Sequence, residues 1–324
     1  MRNLSLFVTG LLFLGLLTWF FGPREPAVIN TAFDPAEFAG DPAAYFARSE
    51  TALGDVLAGA EKRILWANED KGRTDWAILY IHGFSATSEE IRPVPDLVAT
   101  GLNANLVFTR LTGHGRNGQA MAEATVEDWS TDLAEGLAAA RSIGDRVLVI
   151  GTSTGGTLAA HVPFHDTLSE DVAGLVFVSP NFRLMDPLAF LLTWPFARTW
   201  LPWVAGPERE WEGYNDAHNE YWTTKYPAVA ILPMAALVAH TGTLDWTQAD
   251  IPALFLFSQE DQIVDPSETQ SIGAVWAGAA RISPQQLVEG SDPDGHLIAG
   301  DVLSPGMTQS VAAEIIVWAE GLGN

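Results

Sequence analysis

The sequence predicts an α/β fold: a mostly parallel central sheet with helices on both faces, an inserted helical subdomain, and an apolar helix at the N-terminus. Three observations carry this. From Arg63 onward, strand-like and helix-like runs alternate. The strand-like runs are continuously apolar, as in strands buried on both faces. The alternation is broken once, between Asn181 and Asp250, by a stretch far longer than an ordinary connection.

In chain order, Leu4 to Phe21 comes first and carries no charge. At about 1.5 Å per residue it spans about 27 Å, enough to cross a hydrocarbon core. It exceeds the apolar region of a signal peptide, usually about 7–15 residues, and no small-x-small cleavage site follows closely. Trp19, Phe20 and Phe21 suit an interfacial aromatic belt. The expectation is an uncleaved membrane anchor within residues 1–24. A cleaved signal peptide and a helix laid on the domain are the alternatives. Arg2 favours a cytoplasmic N-terminus, which places the remaining chain outside (the periplasm, in a bacterium). Cleavage would instead leave a secreted or periplasmic protein.

Residues 25–55 read as a linker with short helices, because Asp34-Pro35 and Asp41-Pro42 are turn or helix-start signals. Strand candidates follow at Arg63–Ala67, Trp76–Ile81, Asn105–Thr109, Arg146–Ile150, Ala173–Val178, Ala253–Phe257 and Gln286–Val288. Val126 to Ile143 is amphipathic and helical, Ser153 to about His161 is helical and rich in small residues, and Val311 to Gly321 is a terminal helix. Residues 56–180 and 251–324 thus form the core, with right-handed crossovers between parallel strands. Residues 181–250 hold six of the chain's 12 Trp, interspersed with Pro, and read as a cap or lid.

The length, 324 residues, suits one large α/β domain. Lys plus Arg number 17 and Asp plus Glu 40, a net charge of −23. So acidic a surface repels phosphate backbones and excludes nucleic-acid binding. Cysteine is absent, which removes disulfides, thiolate nucleophiles and Cys metal sites together.

The chemistry concentrates at Gly151-Thr152-Ser153-Thr154-Gly155, where an apolar strand meets a helix. A sharp strand-to-helix turn there exposes a Ser hydroxyl at its tip, and the flanking glycines leave room for the turn to close. Upstream, Ile81-His82-Gly83-Phe84 leaves a buried strand, as a loop binding an oxyanion should. Gly83 permits an unusual backbone angle that aims the next N–H inward. The backbone N–H groups of Phe84 and Thr154 are the candidate donors. A Ser nucleophile needs a base, and the base an orienting acid. Of seven His, His82 belongs to that loop, His161 and His165 lie past the start of the Ser helix, and His218 and His240 lie in the insertion. His296, in the loop Gly290–His296, stands where the base belongs in the order Ser, acid, His. Asp261, just past the strand ending at Phe257, is the favoured acid; Asp265 and Glu260 compete, and Asp265 before Pro266 suits helix capping.

These residues resemble the α/β-hydrolase superfamily. They look closest to its single-cap esterase and monoacylglycerol-lipase-like (serine aminopeptidase-like) branch. The resemblance is carried by His82-Gly83-Phe84, Leu111-Thr112-Gly113-His114-Gly115, Gly151-Thr152-Ser153-Thr154-Gly155-Gly156, Asp261-Gln262-Ile263-Val264-Asp265 and Gly295-His296. It implies a triad of Ser153, Asp261 and His296, with supporting roles for His82, Gly83 and His114. The implied reaction is two-step acyl transfer on a carboxylic ester, with no metal or organic cofactor. The Trp-dense cap argues for a small-molecule ester with an apolar group. A peptidase or amidase of the same fold is the alternative, and a non-catalytic binding protein the second.

Overall fold

The computed structural model describes residues 15–323. Nine strands follow one another: β1 (Arg63–Leu65), β2 (Thr74–Ile81), β3 (Asn105–Phe108), β4 (Gly144–Thr152), β5 (Val172–Val178), β6 (Glu208–Glu210), β7 (Lys225–Pro227), β8 (Ala253–Ser258) and β9 (Ala280–Gln285). Seven form one sheet in the order β1-β3-β2-β4-β5-β8-β9, parallel throughout except that β1 runs antiparallel to β3. β6 and β7 pair as a separate antiparallel ribbon. The mostly parallel sheet matches the expectation from sequence.

Side chains along β2 alternate between two cores. Ala77, Leu79 and Ile81 face one, with Trp129, Leu133 and Leu137 of the helix Val126–Ile143. Trp76, Ile78 and Tyr80 face the other, with Val94 and Val98 of the helix Val94–Leu102 and Val311 and Ile315 of the helix Thr308–Glu320. Each fully buried aliphatic or aromatic side chain contributes about 1.5–3 kcal/mol. Helix Val126–Ile143 begins where the sequence places it, because Thr125 and Asp128 form a reciprocal capping box.

The sheet order positions the site. After β3 the chain crosses back over β2 to β4, so β2 and β4 are neighbours and Ile81 pairs with Gly151. The loops leaving these strands at their carboxyl ends therefore lie side by side, at the point where the strand order reverses.

Two expectations are corrected. The strand candidate Gln286–Val288 is irregular, and the strand lies at Ala280–Gln285. That strand closes the sheet edge, so it is half-exposed, carries Pro284, and lacks the apolar run of its buried neighbours. The supposed linker lies against the domain. Phe38 and Phe46 are buried there, with Phe33 and Tyr45 beside them. Arg110 holds Glu50 in a buried bidentate pair at 2.7 and 2.9 Å, and Asn30 bonds Ser130 and Thr131. Lys62, just beyond, is buried between Asp132 and Glu135.

The expected N-terminal anchor is described only in part. Among the described residues no helix is long and apolar enough to cross a membrane. Most of the anchor expected over Leu4–Phe21 lies outside the described residues. The part that is described, helical over residues 15–21, lies against the β5–β8 insertion. Trp19 meets Trp194 edge-on at 5.3 Å, the Phe196 N–H reaches the Pro23 carbonyl at 2.7 Å, and Arg198 pairs with Glu25 at 2.6 Å.

The insertion itself holds the helices Ala197–Val204, Asp216–Tyr221 and Ile231–Thr241 and the β6–β7 ribbon. Its tryptophans divide: Trp211 and Trp222 line a cavity, Trp246 stacks on Trp276, and Trp203 is 87 % exposed.

Candidate active site

β4 runs straight into Ser153, whose φ of 50° and ψ of −116° lie where an L-residue is strained. Such a conformation costs about 1–3 kcal/mol and persists only under constraint from its surroundings. Here the Ser153 N–H is held by the Val178 carbonyl at 3.0 Å, and its carbonyl accepts from Thr157 and Asn181. The glycines are required by space. A Cβ on Gly155 would sit 2.1 Å from the Ile81 carbonyl oxygen, and one on Gly151 2.6 Å from that of Gly155. Thr154 opens the following helix, so its N–H has no intrahelical partner.

Beside this turn runs His82-Gly83-Phe84. His82 is fully buried; its Nδ1–H bonds the Gly83 carbonyl at 2.8 Å, and its Nε2 accepts the Leu111 N–H at 3.0 Å. That pairing fixes the neutral tautomer, and burial, then the nearby His114, hold its pKa well below the usual value. His114, its pKa lowered by burial to about 4, packs at 5.1 Å from His82 and 5.7 Å from the Phe84 ring. Both histidines thus brace the loop as neutral struts. Gly83 does not use the left-handed angle expected of it. Its reason is space: a Cβ would lie 3.0 Å from Glu90 Oε2 and 3.1 Å from Ser153 Cβ. Among the described residues the Phe84 N–H has no hydrogen-bond acceptor.

Asp261 and His296 meet across the carboxyl ends of β8 and β9. Asp261 Oδ2 accepts from His296 Nδ1 at 2.8 Å, and Oδ1 accepts the N–H groups of Ile263 and Val264. Burial pulls the His296 pKa down, but the charge and hydrogen bond of Asp261 outweigh it, and the net shift is upward. The competing acids serve elsewhere. Asp265 caps the helix Pro266–Val275 and pairs with Arg183, while Glu260 is exposed. The His296 loop is shaped by Asp292, whose carboxylate accepts the N–H groups of Asp294, His296 and Leu297.

Ser153, Thr154, Phe84 and His296 all line one cavity of about 420 Å³. No hydrogen bond joins Ser153 to His296 among the described residues, and both side chains border the cavity. Trp211, Trp222, Tyr226 and Met234 give the cavity apolar walls, and His218 reaches it from the insertion. Among the described residues, no cluster of three His, Asp or Glu is placed to hold a metal.

Sequence reasoning missed Glu90. It is 2 % exposed, lines the cavity, and accepts from the Gly83 N–H at 2.7 Å and the Tyr80 hydroxyl at 2.6 Å. In Thr87-Ser88-Glu89-Glu90 it reads as a solvated charge, and only its nearness to the Gly83 loop hinted otherwise.

Residues 78–301 match the model of the alpha/beta hydrolase family. The chain is 26 % identical over 196 residues to a thermostable monoacylglycerol lipase of Bacillus sp. (strain H-257), covering 60 % of this chain and 74 % of that protein. Among solved structures, one reported for the metagenome-derived lipolytic enzymes LipS and LipT superposes with a TM-score of 0.63 at 20 % identity, over 82 % of this chain and 99 % of that one. A soluble variant of the Saccharomyces cerevisiae monoglyceride lipase superposes at 0.60 and 12 % identity, over 81 % and 91 %. At these identities the structural likeness speaks for the fold.

Proposed function

The chain belongs to the alpha/beta hydrolase family, and on that footing we propose that it is a serine hydrolase cleaving carboxylic esters, monoacylglycerol-lipase-like in its choice. One observation carries the reading. A Ser held at positive φ shares a cavity with a His whose Nδ1 bonds a buried carboxylate.

Ser153 Oγ attacks the ester carbonyl while His296 Nε2 takes its proton. Asp261 holds the ring so that Nε2 carries the lone pair, and stabilises the imidazolium that forms. The N–H groups of Phe84 and Thr154 receive the oxyanion, each contributing about 3 kcal/mol to the transition state. The imidazolium gives its proton to the leaving alcohol. Water, activated by the same His, then releases the acid and restores Ser153.

Residues 181–250 act as the cap over this site. Trp211, Trp222 and Tyr226 on its cavity side support an apolar acyl or aryl group. The relatives described as monoacylglycerol lipases point the same way. The test is labelling of Ser153 by a fluorophosphonate, together with turnover of p-nitrophenyl esters of graded acyl length beside peptide amides. Absence of both labelling and turnover overturns the reading; amide turnover that exceeds ester turnover overturns the ester assignment.

Placement of the domain outside a membrane rests on the sequence of residues 1–25 alone. Fractionation of the full chain, and of one lacking residues 1–24, tests it. A full chain that stays soluble defeats it.

A further inference from the structure

Glu90 has no part in that mechanism, yet its position is one that a carboxyl seldom occupies without a reason. Its Oε1 accepts from Gly83 N–H and from the Tyr80 hydroxyl, which also contacts Thr152 Oγ1 at 3.0 Å. Thr152 directly precedes the nucleophile, and Gly83 directly precedes the Phe84 N–H. One carboxyl oxygen therefore ties the end of β2 and the end of β4 to the oxyanion loop. The second oxygen, Oε2, and Ser153 Cβ lie 3.0 and 3.1 Å from the point that a Cβ on Gly83 would occupy.

Several titratable groups face it. Tyr80 comes from β2. His296 and Asp292 from the loop after β9, and His218 from the helix Asp216–Tyr221, line the same cavity. On its own turn, Glu89 is paired with Arg63 and Arg92. No Lys or Arg lines the cavity. Burial accordingly raises the Glu90 pKa to about 8, against the lowering effect of the Tyr80 and Gly83 hydrogen bonds and of His296. The carboxyl is protonated at neutral pH.

We propose that Glu90 is a positioning residue of the serine-hydrolase site described above: protonated, it braces the oxyanion loop through the Gly83 N–H, one residue before Phe84, and its ionisation switches catalysis off on the alkaline side. The proton matters because the carboxyl holds the Gly83 N–H, one residue before the N–H that receives the oxyanion, and lines the same cavity as Ser153. A carboxylate there adds a negative charge near the developing one, and among the described residues no Lys or Arg lines the cavity to offset it. Ionised Glu90 also favours the imidazolium of His296, but that influence is the weakest on either group.

The inference rests on Ser153 being the nucleophile, and the experiment separates the two. Ester kcat/KM is measured against pH for the full chain and for Glu90→Gln, with fluorophosphonate labelling at neutral pH run alongside. Gln keeps an acceptor for Gly83 and Tyr80 and a donor toward the cavity, but cannot ionise. The wild-type profile falls about tenfold per pH unit above the Glu90 transition. The Glu90→Gln profile, whatever its plateau height, loses that fall. Tyr80→Phe keeps Glu90 but removes a hydrogen bond that favours the carboxylate, so its alkaline limb moves upward. It serves as the reporter should the Gln variant not fold. Labelled Ser153 with alkaline limbs that superpose across wild type and both variants overturns the role of Glu90. An unlabelled Ser153 overturns the serine reading itself.

Discussion

Asp261 accepts the Nδ1–H of His296 at 2.8 Å while its other oxygen is occupied by the backbone N–H groups of Ile263 and Val264. The carboxylate is thus fixed before the His arrives, and the imidazole takes its orientation from it. The upward-shifted His296 pKa then sets an acid limit on activity, since only the neutral ring can accept the Ser153 proton. Activity should rise as pH climbs through a midpoint above that of a free His. Asp261→Asn removes the charge that raises the pKa, so burial dominates and the limb moves to lower pH. The same change lowers kcat by roughly 10⁴-fold. A pH profile of the Asn variant matching wild type in limb and height would falsify the role of Asp261.

Ser153 stores strain that its function requires. Ser153→Gly should abolish ester turnover and yet stabilise the fold by about 1 kcal/mol, because Gly occupies positive φ freely. Urea unfolding beside an ester assay checks both halves. A destabilised Gly variant would mean that the turn is not strained.

Gly83→Ala probes the gap between Glu90 and Ser153. The added methyl is tight at about 3 Å on both sides but meets no backbone there except at a comfortable 3.6 Å. The fold should survive at a cost of about 1–3 kcal/mol. The kcat should fall up to about a hundredfold through displacement of the Phe84 N–H. Steady-state kinetics with a thermal melt separate the two effects, and an unchanged kcat counts against the loop as an oxyanion site.

The cavity wall bears on substrate charge. Besides the protonated Glu90, the carboxylates of Glu212, Asp292 and Asp294 line it, and among the described residues no Lys or Arg does. A neutral ester should exceed the matching ester with a free carboxylate by about tenfold or more in kcat/KM, and the gap should narrow with added salt. Equal rates at low salt would show that the cavity does not sort by charge.

Glu50→Ala tests the N-terminal segment. It leaves Arg110 buried without its carboxylate, which costs about 3–5 kcal/mol. Equilibrium unfolding measures the loss. A change below about 1 kcal/mol would mean that the segment is only laid on the surface.

These predictions draw unequally on what the sequence alone discloses. Ser153 was legible because a strand, a tight turn and a helix are local, and each leaves its own signature in adjacent residues. The order of Asp261 and His296 was legible because the loops leaving β8 and β9 emerge at the same end of a parallel sheet. Glu90 was not, since its burial depends on Gly83 and Tyr80 folding back over it. β9 was missed because an edge strand with Pro284 carries none of the apolar signal of buried strands. The docking of Phe38 and Phe46 was hidden for a similar reason: proline and aspartate around them mark short helices well, but say nothing of what those helices lie against.

The clasp at Arg110 has a mechanical meaning. Arg110 grips Glu50 and also donates to the His114 carbonyl at 3.1 Å, and the His114 ring stands behind Phe84. Tension applied at the N-terminus meets the insertion at Pro23 and Glu25, then the body of the domain at Asn30 and Glu50, all ahead of the first strand. A pull strong enough to free the clasp acts next on Arg110, and through it on the residue whose ring packs against Phe84.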